Sequence, residues 1–450
     1  MSNAINIITF IVLTTMMVVY MFRYSARLKN PINSTQYLLL EGTEMFFVLL
    51  MATGTLALSS SAGGHGAGSG FNLQAIHLLV LEALLLLSYF VASKKPQWSP
   101  GAVMYLLYIL WLVYSLTYTP SVEYGIRYVL KYIYPLLIML AASAIVKDEE
   151  VFLGVCVWAR RVALISALVV FFIPVIRYAI LPSFFWYETA LTIHYVTIAI
   201  ISFALFFFYG RDWKDLALAI IFVFPTIISV HRTGLLAMFA GMAVFAFYKW
   251  RWVSLPYIVG VLAIGMAIVF YVPSFHEKMF WRDTEQQLSI GDLREGNITE
   301  EDIRNNGRKA LWETLEYNFY KGRELKGSGI GSCQLFLYGN PDIAKQTHGD
   351  YIQMRCDTGL VGMWLYIAVA VVCCIHCLLV VTSRYNPDYI KCCAMITAGA
   401  IVGNYAAMYS DNAVTYTMAT TGYPFAFYGM MVGMLRRVQK PIEQLSANTL

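Results

Sequence analysis

The amino-acid sequence predicts an all-α integral membrane protein, a polytopic bundle of about 12–13 transmembrane helices. Of its 450 residues, 59% are hydrophobic and 13% are charged, and the mean hydropathy is +0.61. A soluble globular domain has about 25% charged residues. The net charge of +5 is small. Most of it lies in short loops, which indicates orientation in a membrane rather than binding to nucleic acid.

The predicted transmembrane spans follow the apolar runs of the sequence, and thirteen segments qualify. Their bounds are residues 4–22, 36–58, 71–93, 102–119, 128–146, 151–174, 190–209, 214–230, 233–249, 253–272, 358–382, 390–409 and 415–435. The first segment has no basic region before it and no obvious small-residue cleavage site after it. We therefore interpret it as a retained helix and not as a cleaved signal peptide.

Basic residues assign the ends of these spans to the two sides of the membrane. Lysine or arginine follows every odd-numbered span, as at Arg23, Lys94, Arg211, Arg384 and Arg436. Cytoplasmic loops carry an excess of these residues, so these ends are predicted to be cytoplasmic. The N-terminus then lies on the outer side and the C-terminus in the cytoplasm.

One connection is much longer than the others and divides the chain into three predicted regions. These are residues 1–272 with the first ten helices, residues 273–357 as a large outer loop, and residues 358–450 with the last three helices and a short cytoplasmic tail. Long loops in compact proteins are usually functional. Within the loop, the stretch TEEDIRNNGRKALWETLEYNFY predicts a helix with Leu311 and Leu315 on one apolar face. Such a helix either lies on the membrane surface or caps a cavity.

The eight cysteines mostly lie inside apolar runs. The segment CCIHC at residues 373–377 resembles a metal motif, but its apolar surroundings favour packing over metal binding. Cys333 and Cys356 lie outside the membrane core on either side of a polar cluster. A disulfide between them is an open alternative in an oxidising compartment.

Four polar residues from distant parts of the chain reach the same outer face in this topology: Arg232, Arg308, His348 and Asp411. Each has an ordinary interpretation as well. The arginines could extend to lipid headgroups or solvent, and His348 could end a helix. Asp411 could cap the helix that follows it. The charge pattern predicts a shared face but does not predict that the side chains meet.

Further charged residues lie near that face. Arg127 and Lys131 are one turn apart at the outer end of the fifth span. They either add positive potential for an anionic ligand or anchor the helix. Asp350 follows His348 by two residues, where it could orient the imidazole or an acceptor group.

Three stretches together resemble the O-antigen ligase and O-antigen polymerase superfamily of bacterial envelope glycosyltransferases. The first is HRTGLLAMFAG from residue 231, with Arg232 at the start of a helix. The second is NNGRKALWETL from residue 305, with a Gly-Arg pair and a tryptophan, followed by the glycine-rich LKGSGIGSCQLF. The third is His348-Gly349, nine residues, and then Gly359-x-x-Gly362 running into a helix. Many ligases have Asn, Ser or Lys in place of Gly349.

The resemblance implies an inverting glycosyltransferase in the bacterial inner membrane, with its active site in a large helical periplasmic loop. The implied donor is an oligosaccharide linked to undecaprenyl diphosphate. The acceptor is a hydroxyl of a second lipid-linked glycan or of the lipid A core. Membrane lipid and a chain-length regulator are further expected partners, and nucleic acid is not. No metal or other cofactor is expected.

The predicted site residues fit this chemistry on their own terms. Negative charge develops on the leaving diphosphate, and the planar fork of an arginine donates two parallel hydrogen bonds to phosphate oxygens. Arg232 and Arg308 are the candidates for this role. The acceptor hydroxyl must lose a proton, and His348 is suited to accept it. Asp350 and Asp411 are candidates to orient the ring or the acceptor, and Arg127 and Lys131 to bind the substrate.

Three functions remain open from the sequence. A polymerase that joins lipid-linked repeat units is favoured by His348-Gly349 and by the pattern of Asp411, Asn412 and Tyr416. A ligase that transfers the finished chain to the lipid A core is the near alternative. A glycolipid flippase would explain the buried charges without catalysis. It predicts internal symmetry and interrupted helices, however, and neither is visible in the sequence.

Overall fold

The structure is a computed structural model. It describes residues 42–55, 73–93, 98–168, 188–280, 307–340 and 346–447, together with Phe171 and a few isolated positions before residue 42. The predicted span 4–22 lies outside these ranges apart from three isolated helical positions. The α-helices are α1 Gly42–Thr55, α2 Leu73–Ala92, α3 Pro100–Ser115, α4 Val122–Ile145, α5 Glu149–Ala167, α6 Glu188–Phe208, α7 Trp213–Ile228, α8 Arg232–Trp250, α9 Leu255–Tyr271, α10 Pro273–Met279, α11 Arg308–Leu315, α12 Ser332–Gly339, α13 Asp350–Thr382, α14 Asp388–Ala407 and α15 Gly422–Ala447.

The helices confirm the prediction of an all-α polytopic membrane protein. Among the described residues, seven helical stretches are long and apolar enough to cross a membrane. Each predicted span from 36–58 onward coincides with a helix. Short 3₁₀ helices occupy Leu116–Tyr118, Arg251–Ser254 and Ala413–Tyr416, and a π-helical turn occupies Glu316–Tyr320. Strands β1, Leu28–Lys29, and β2, Tyr37–Leu38, form a minimal antiparallel pair.

Two helices begin where hydropathy did not place them. Helix α13 begins at Asp350 rather than at residue 358, because its first two turns pack on the long loop and are partly polar. Helix α15 begins at Gly422 rather than at residue 415. The segment 408–421 between α14 and α15 forms turns and a 3₁₀ helix whose threonines bond to its own backbone, as in the 2.7 Å bond from Thr420 Oγ1 to the Ala413 carbonyl.

Glycines let the central helices approach closely. Helix α15 lies against α4 at Gly429 and Gly433, where an added Cβ would lie 2.1 Å from the Met139 carbonyl oxygen and 2.4 Å from that of Val146. Helix α14 lies against α8 in the same way, with Gly399 facing Gly241. Lipid tails are as apolar as leucine, so membrane helices associate through close packing of this kind. These contacts pair α4 with α15 and α8 with α14 within the bundle.

The glycine-rich loop before α12 is bonded to a break in α13. Gly359 has φ 69° and ψ −174° inside the helix. The break frees the Leu360 N–H, which donates to the Glu324 carbonyl at 2.8 Å. Just before it, the Asp357 carboxylate accepts the N–H groups of Gly331 at 3.0 Å and Cys333 at 2.9 Å. Asp357 therefore attaches the start of α12 to α13.

Substitution of Gly359 tests this junction. A Cβ at this position would lie 2.2 Å from the Leu325 carbonyl oxygen, and the left-handed φ adds strain. We expect Gly359→Ala to lower the free energy of unfolding by at least about 2 kcal/mol. Thermal unfolding of detergent-purified protein measures the loss. Gly339→Ala is the control, because no heavy atom lies within 4 Å of its added Cβ. Equal stability of the two variants would contradict the junction.

The cysteines and the predicted loop helix have specific places in this fold. Cys333 and Cys356 are free thiols, both fully buried with Leu315 and Leu337 in one small apolar cluster. Leu315 belongs to α11, so this helix packs on α12 and α13. In the CCIHC segment, His376 Nδ1 lies 2.8 Å from the Tyr428 hydroxyl between α13 and α15.

Candidate active site

The turn that follows α14 collects contacts from three distant segments. Ser410 receives two of them. Its carbonyl accepts a hydrogen bond from Arg308 Nη1 at 2.6 Å, and its Oγ lies 3.0 Å from the Thr233 hydroxyl. Asn412, two residues later, accepts the His348 N–H at 2.7 Å. Residues 410–412 are therefore the common anchor of α8, α11 and the start of α13.

Arg308 is the first residue of α11, directly after Gly307 with a φ of 77°. One of its terminal nitrogens is bonded to Ser410, which orients the guanidinium toward the turn. Burial lowers the pKa of Arg308 below its usual value, and the Asp411 carboxylate opposes this effect. The group stays positively charged at neutral pH. A partly buried and oriented guanidinium is suited to bind an anion.

Arg232 is the first residue of α8. The next residue, Thr233, touches Ser410, so the backbone of Arg232 lies one residue from the turn that Arg308 also contacts. The free N–H groups and the dipole of a helix start favour negative charge. The structure thus brings the helix starts that carry Arg232 and Arg308 to the same turn.

His348 lies between the loop and α13 in an uncommon backbone conformation, with φ 51°. The preceding Thr347 carbonyl accepts the Trp312 indole N–H at 2.8 Å. A Cβ on the following residue, Gly349, would lie 3.2 Å from Trp312 Cζ2. Glycine therefore leaves room for the tryptophan. The imidazole is half-buried, and its Nδ1 has no hydrogen-bond partner among the described residues.

The electrostatic surroundings of His348 keep its imidazole neutral. Burial lowers the pKa of His348 below 6.5, and the positive charge of Arg308 lowers it further, whereas the Asp411 carboxylate raises it. A neutral imidazole at physiological pH is able to accept a proton. The same two charges act on each other, so Arg308, His348 and Asp411 form one electrostatic group.

The two candidate aspartates have different positions. Asp411 is 8% exposed, and its Oδ1 accepts the N–H of the next residue at 2.8 Å. It acts directly on both Arg308 and His348. Asp350 is 2% exposed, and its Oδ2 accepts the Val414 N–H at 3.0 Å. Asp350 therefore ties α13 to the turn, whereas Asp411 acts on the imidazole through its charge.

The two candidate cations of α4 do not share one environment. Lys131 Nζ lies 4.6 Å from the centre of the Tyr128 ring and interacts electrostatically with Asp350. Arg127 forms an ion pair of 2.6 Å with Glu123, at the start of the same helix. Lys131 thus adjoins the aspartate under the turn, whereas Arg127 is engaged at the rim of α4.

Sequence reasoning missed the residues that assemble this group. Ser410 uses its backbone and a common hydroxyl, and neither feature is distinctive in a sequence. Asn412 was noticed only as part of a pattern with Asp411 and Tyr416, yet its amide is 1% exposed and bonds to three other residues. The signal that the sequence contained is an asparagine directly after the candidate Asp411.

The fold and the site together define the class of this protein: a multi-pass helical membrane protein in which Arg308, His348 and Asp411 interact at one end of the bundle. Residues 216–367 match the family model described as O-antigen ligase. The match contains Arg232, Arg308 and His348 and ends before Asp411. No curated protein matches the chain. The match confirms the resemblance to the O-antigen ligase and polymerase superfamily and implies a glycosyltransferase-type enzyme that acts on lipid-linked glycans in a membrane.

Proposed function

We propose that this protein transfers an undecaprenyl-diphosphate-linked glycan to an acceptor hydroxyl, as a polymerase that joins lipid-linked repeat units. One observation carries the proposal. Arg308, His348 and Asp411 form one electrostatic group at the turn that also contacts the start of α8, where Arg232 lies. The acceptor would be the second lipid-linked glycan. A chain-length regulator would be an additional partner.

The reaction assigns a role to each member of the group. The acceptor oxygen forms a bond to the anomeric carbon of the donor, and the bond from that carbon to the diphosphate breaks. His348 takes the proton of the acceptor hydroxyl. The guanidinium groups of Arg308 and Arg232 stabilise the charge that develops on the leaving diphosphate, in the place of a divalent cation. Attack from the face opposite the diphosphate inverts the anomeric configuration.

The remaining predicted residues have supporting roles in this proposal. Asp411 favours the charged guanidinium of Arg308, and it raises the pKa of His348, which makes the imidazole a stronger proton acceptor. Lys131 and Arg127 add positive potential on the side of α4, with Lys131 the nearer to the group through Asp350. Asp350 secures the start of α13 and thereby the position of His348. The polyprenyl tail would stay in lipid, since the group lies at one end of the bundle.

The proposal includes a location. The enzyme would lie in the bacterial inner membrane with this end of the bundle in the periplasm and the C-terminus in the cytoplasm. The basic residues at the opposite ends of the helices, such as Arg211, Arg384 and Arg437, support this orientation. Residues 273–357 would then be the periplasmic loop, between transmembrane regions 1–272 and 358–450.

A ligase is the second candidate function, because the matching family is described as O-antigen ligase. Deletion of the gene in the source organism separates the two. If the surface core then carries a single repeat unit, the protein is a polymerase. If complete long chains accumulate on the polyprenyl carrier, it is a ligase.

Reconstitution tests the proposed activity directly. Purified protein in liposomes would receive lipid-linked oligosaccharide extracted from the source organism, with a chelator present. We expect products longer by whole repeat units on a gel. No elongation with or without added magnesium would contradict a polymerase. Elongation that requires the metal would contradict the proposed role of the arginines.

The pH dependence of the reconstituted reaction tests the assignment of Asp411. Activity requires the neutral imidazole, so the rate should fall as the pH drops through the pKa of His348, which lies below 6.5. The Asp411 carboxylate raises that pKa. We expect Asp411→Asn to move the acidic limb of the kcat profile to still lower pH, because it removes this negative charge. Asp388→Asn, at the far end of α14, is the control. A shift toward higher pH would contradict the assignment.

A further inference from the structure

The backbone of His348 is held in a conformation that a histidine rarely adopts. Its φ of 51° lies in the left-handed region, which is unfavourable for an L-residue because Cβ approaches the following carbonyl oxygen. This φ decides the direction in which the Cα–Cβ bond leaves the chain, and so the direction of the imidazole. The surroundings must therefore supply contacts that keep the strained conformation populated.

The contacts that hold this conformation do not include a hydrogen bond to the imidazole Nδ1. That atom is buried and has no hydrogen-bond partner among the described residues. In many sites with a catalytic histidine, a carboxylate bonded to Nδ1 orients the ring. Asp411 acts on His348 through its charge, without a hydrogen bond to Nδ1. The ring must then be oriented mainly through its own backbone.

The backbone contact comes from Asn412. Its Oδ1 accepts the His348 N–H at 2.7 Å. Its Nδ2 donates to Thr347 Oγ1 at 2.7 Å and to Asp350 Oδ1 at 3.4 Å. Exchange of the amide oxygen and nitrogen would place two donors against each other at His348, so the network permits only one orientation of the amide.

We propose that Asn412 is the positioning residue of the active site: its buried amide holds His348 in the left-handed conformation and thereby aims the imidazole at the acceptor hydroxyl. The loop is held on both sides of this bond. Thr347 is bonded to Trp312 before it, and the Asp350 N–H donates to the Met408 carbonyl at 2.9 Å after it. The inference depends on the proposed glycosyl transfer for its consequence in catalysis, although the backbone bond stands without it.

Two variants and one control test the inference. Asn412→Ala removes the acceptor for the His348 N–H, whereas Asn412→Asp keeps an oxygen in its place. Asn404→Ala is the control. Asn404 is also buried, 2% exposed, and its amide donates to the Thr197 hydroxyl on α6 and to the Ala400 carbonyl on α14. It has no bond to the His348 loop.

The first measurement is hydrogen–deuterium exchange of the His348 amide in the complete protein in nanodiscs. We expect exchange at least about fivefold faster in Asn412→Ala, because one hydrogen bond is lost. Protection should be largely restored in Asn412→Asp and unchanged in Asn404→Ala. Size-exclusion chromatography identifies any variant that does not fold. If Asn412→Ala does not fold, faster exchange in Asn412→Asp than in wild type would overturn the inference.

The second measurement is elongation of lipid-linked oligosaccharide extracted from the source organism. Misplacement of a catalytic group by about 1 Å can cost about a hundredfold. We expect Asn412→Ala to lose about ten- to a hundredfold in kcat with KM changed less than about twofold, and Asn412→Asp to recover part of kcat. If the wild-type enzyme is active and Asn412→Ala has the same kcat, the positioning role of Asn412 is wrong and the proposed function still stands. A different outcome is that wild-type protein transfers no glycan, while hydrogen–deuterium exchange still shows the expected pattern. In that case the proposed function is wrong, but the hydrogen bond from His348 N–H to Asn412 is supported.

Discussion

Replacement of His348 with asparagine is expected to lower kcat for glycan elongation by about a hundred- to ten-thousandfold, the usual contribution of a general base. Asparagine is the proper substitute because it tolerates the left-handed φ of 51° better than alanine does. The loss then reports the proton acceptor and not a disturbed loop. Elongation of reconstituted lipid-linked oligosaccharide, sized by gel, measures it.

His376→Asn is the matched control for this experiment. His376 lies inside α13, 26 residues after the Asp350 that begins this helix, which is roughly 40 Å at 1.5 Å per residue. Its imidazole is bonded to Tyr428. This variant should elongate glycans at a rate close to that of the wild type once the amount of folded protein is equalised. If His348→Asn keeps the wild-type rate under the same conditions, His348 is not the base.

Replacement of Arg308 with lysine is expected to lower kcat by about a hundred- to thousandfold, although the charge is conserved. One terminal nitrogen of Arg308 is already bonded to the Ser410 carbonyl at 2.6 Å. The rest of the guanidinium fork remains for the diphosphate. A lysine ammonium cannot hold the turn and present a bidentate donor at the same time.

The control for Arg308 is another arginine of the outer loop. Arg323 is exposed and donates to Ser328 Oγ at 3.0 Å, away from the turn at residues 410–412. Arg323→Lys should leave kcat within about twofold of the wild type. Equal activity of Arg308→Lys and wild-type enzyme would show that the fork of Arg308 does not bind the leaving group.

The sequence predicted the helices well because hydropathy is a local property. A run of apolar residues long enough to cross a bilayer needs no information from the rest of the chain. The exceptions are the first residues of α13 and α15, which hydropathy placed at other positions. There polar segments are stabilised by contacts with other parts of the molecule, such as the bond from the Asp350 N–H to the Met408 carbonyl. Local hydropathy cannot anticipate bonds of this kind.

The sequence predicted the residue types of the candidate site and the face of the bundle on which they lie. Arginine, histidine and aspartate at helix ends on one face indicated binding and proton transfer. The sequence did not predict which of them meet. Arg127 is paired with Glu123 at the rim, and Asp350 secures the turn under the site. These differences depend on how α4 and α13 pack on the rest of the molecule, which the local sequence does not encode.

By itself the sequence determined that this is a polytopic helical membrane protein, and it indicated that the candidate site residues share the face that bears the long loop. Only the tertiary structure decided that Arg308, His348 and Asp411 form one group, and that Asn412, 64 residues from His348, holds its backbone. The reason is physical. Composition sets which segments enter the membrane, whereas packing between helices sets which distant residues touch.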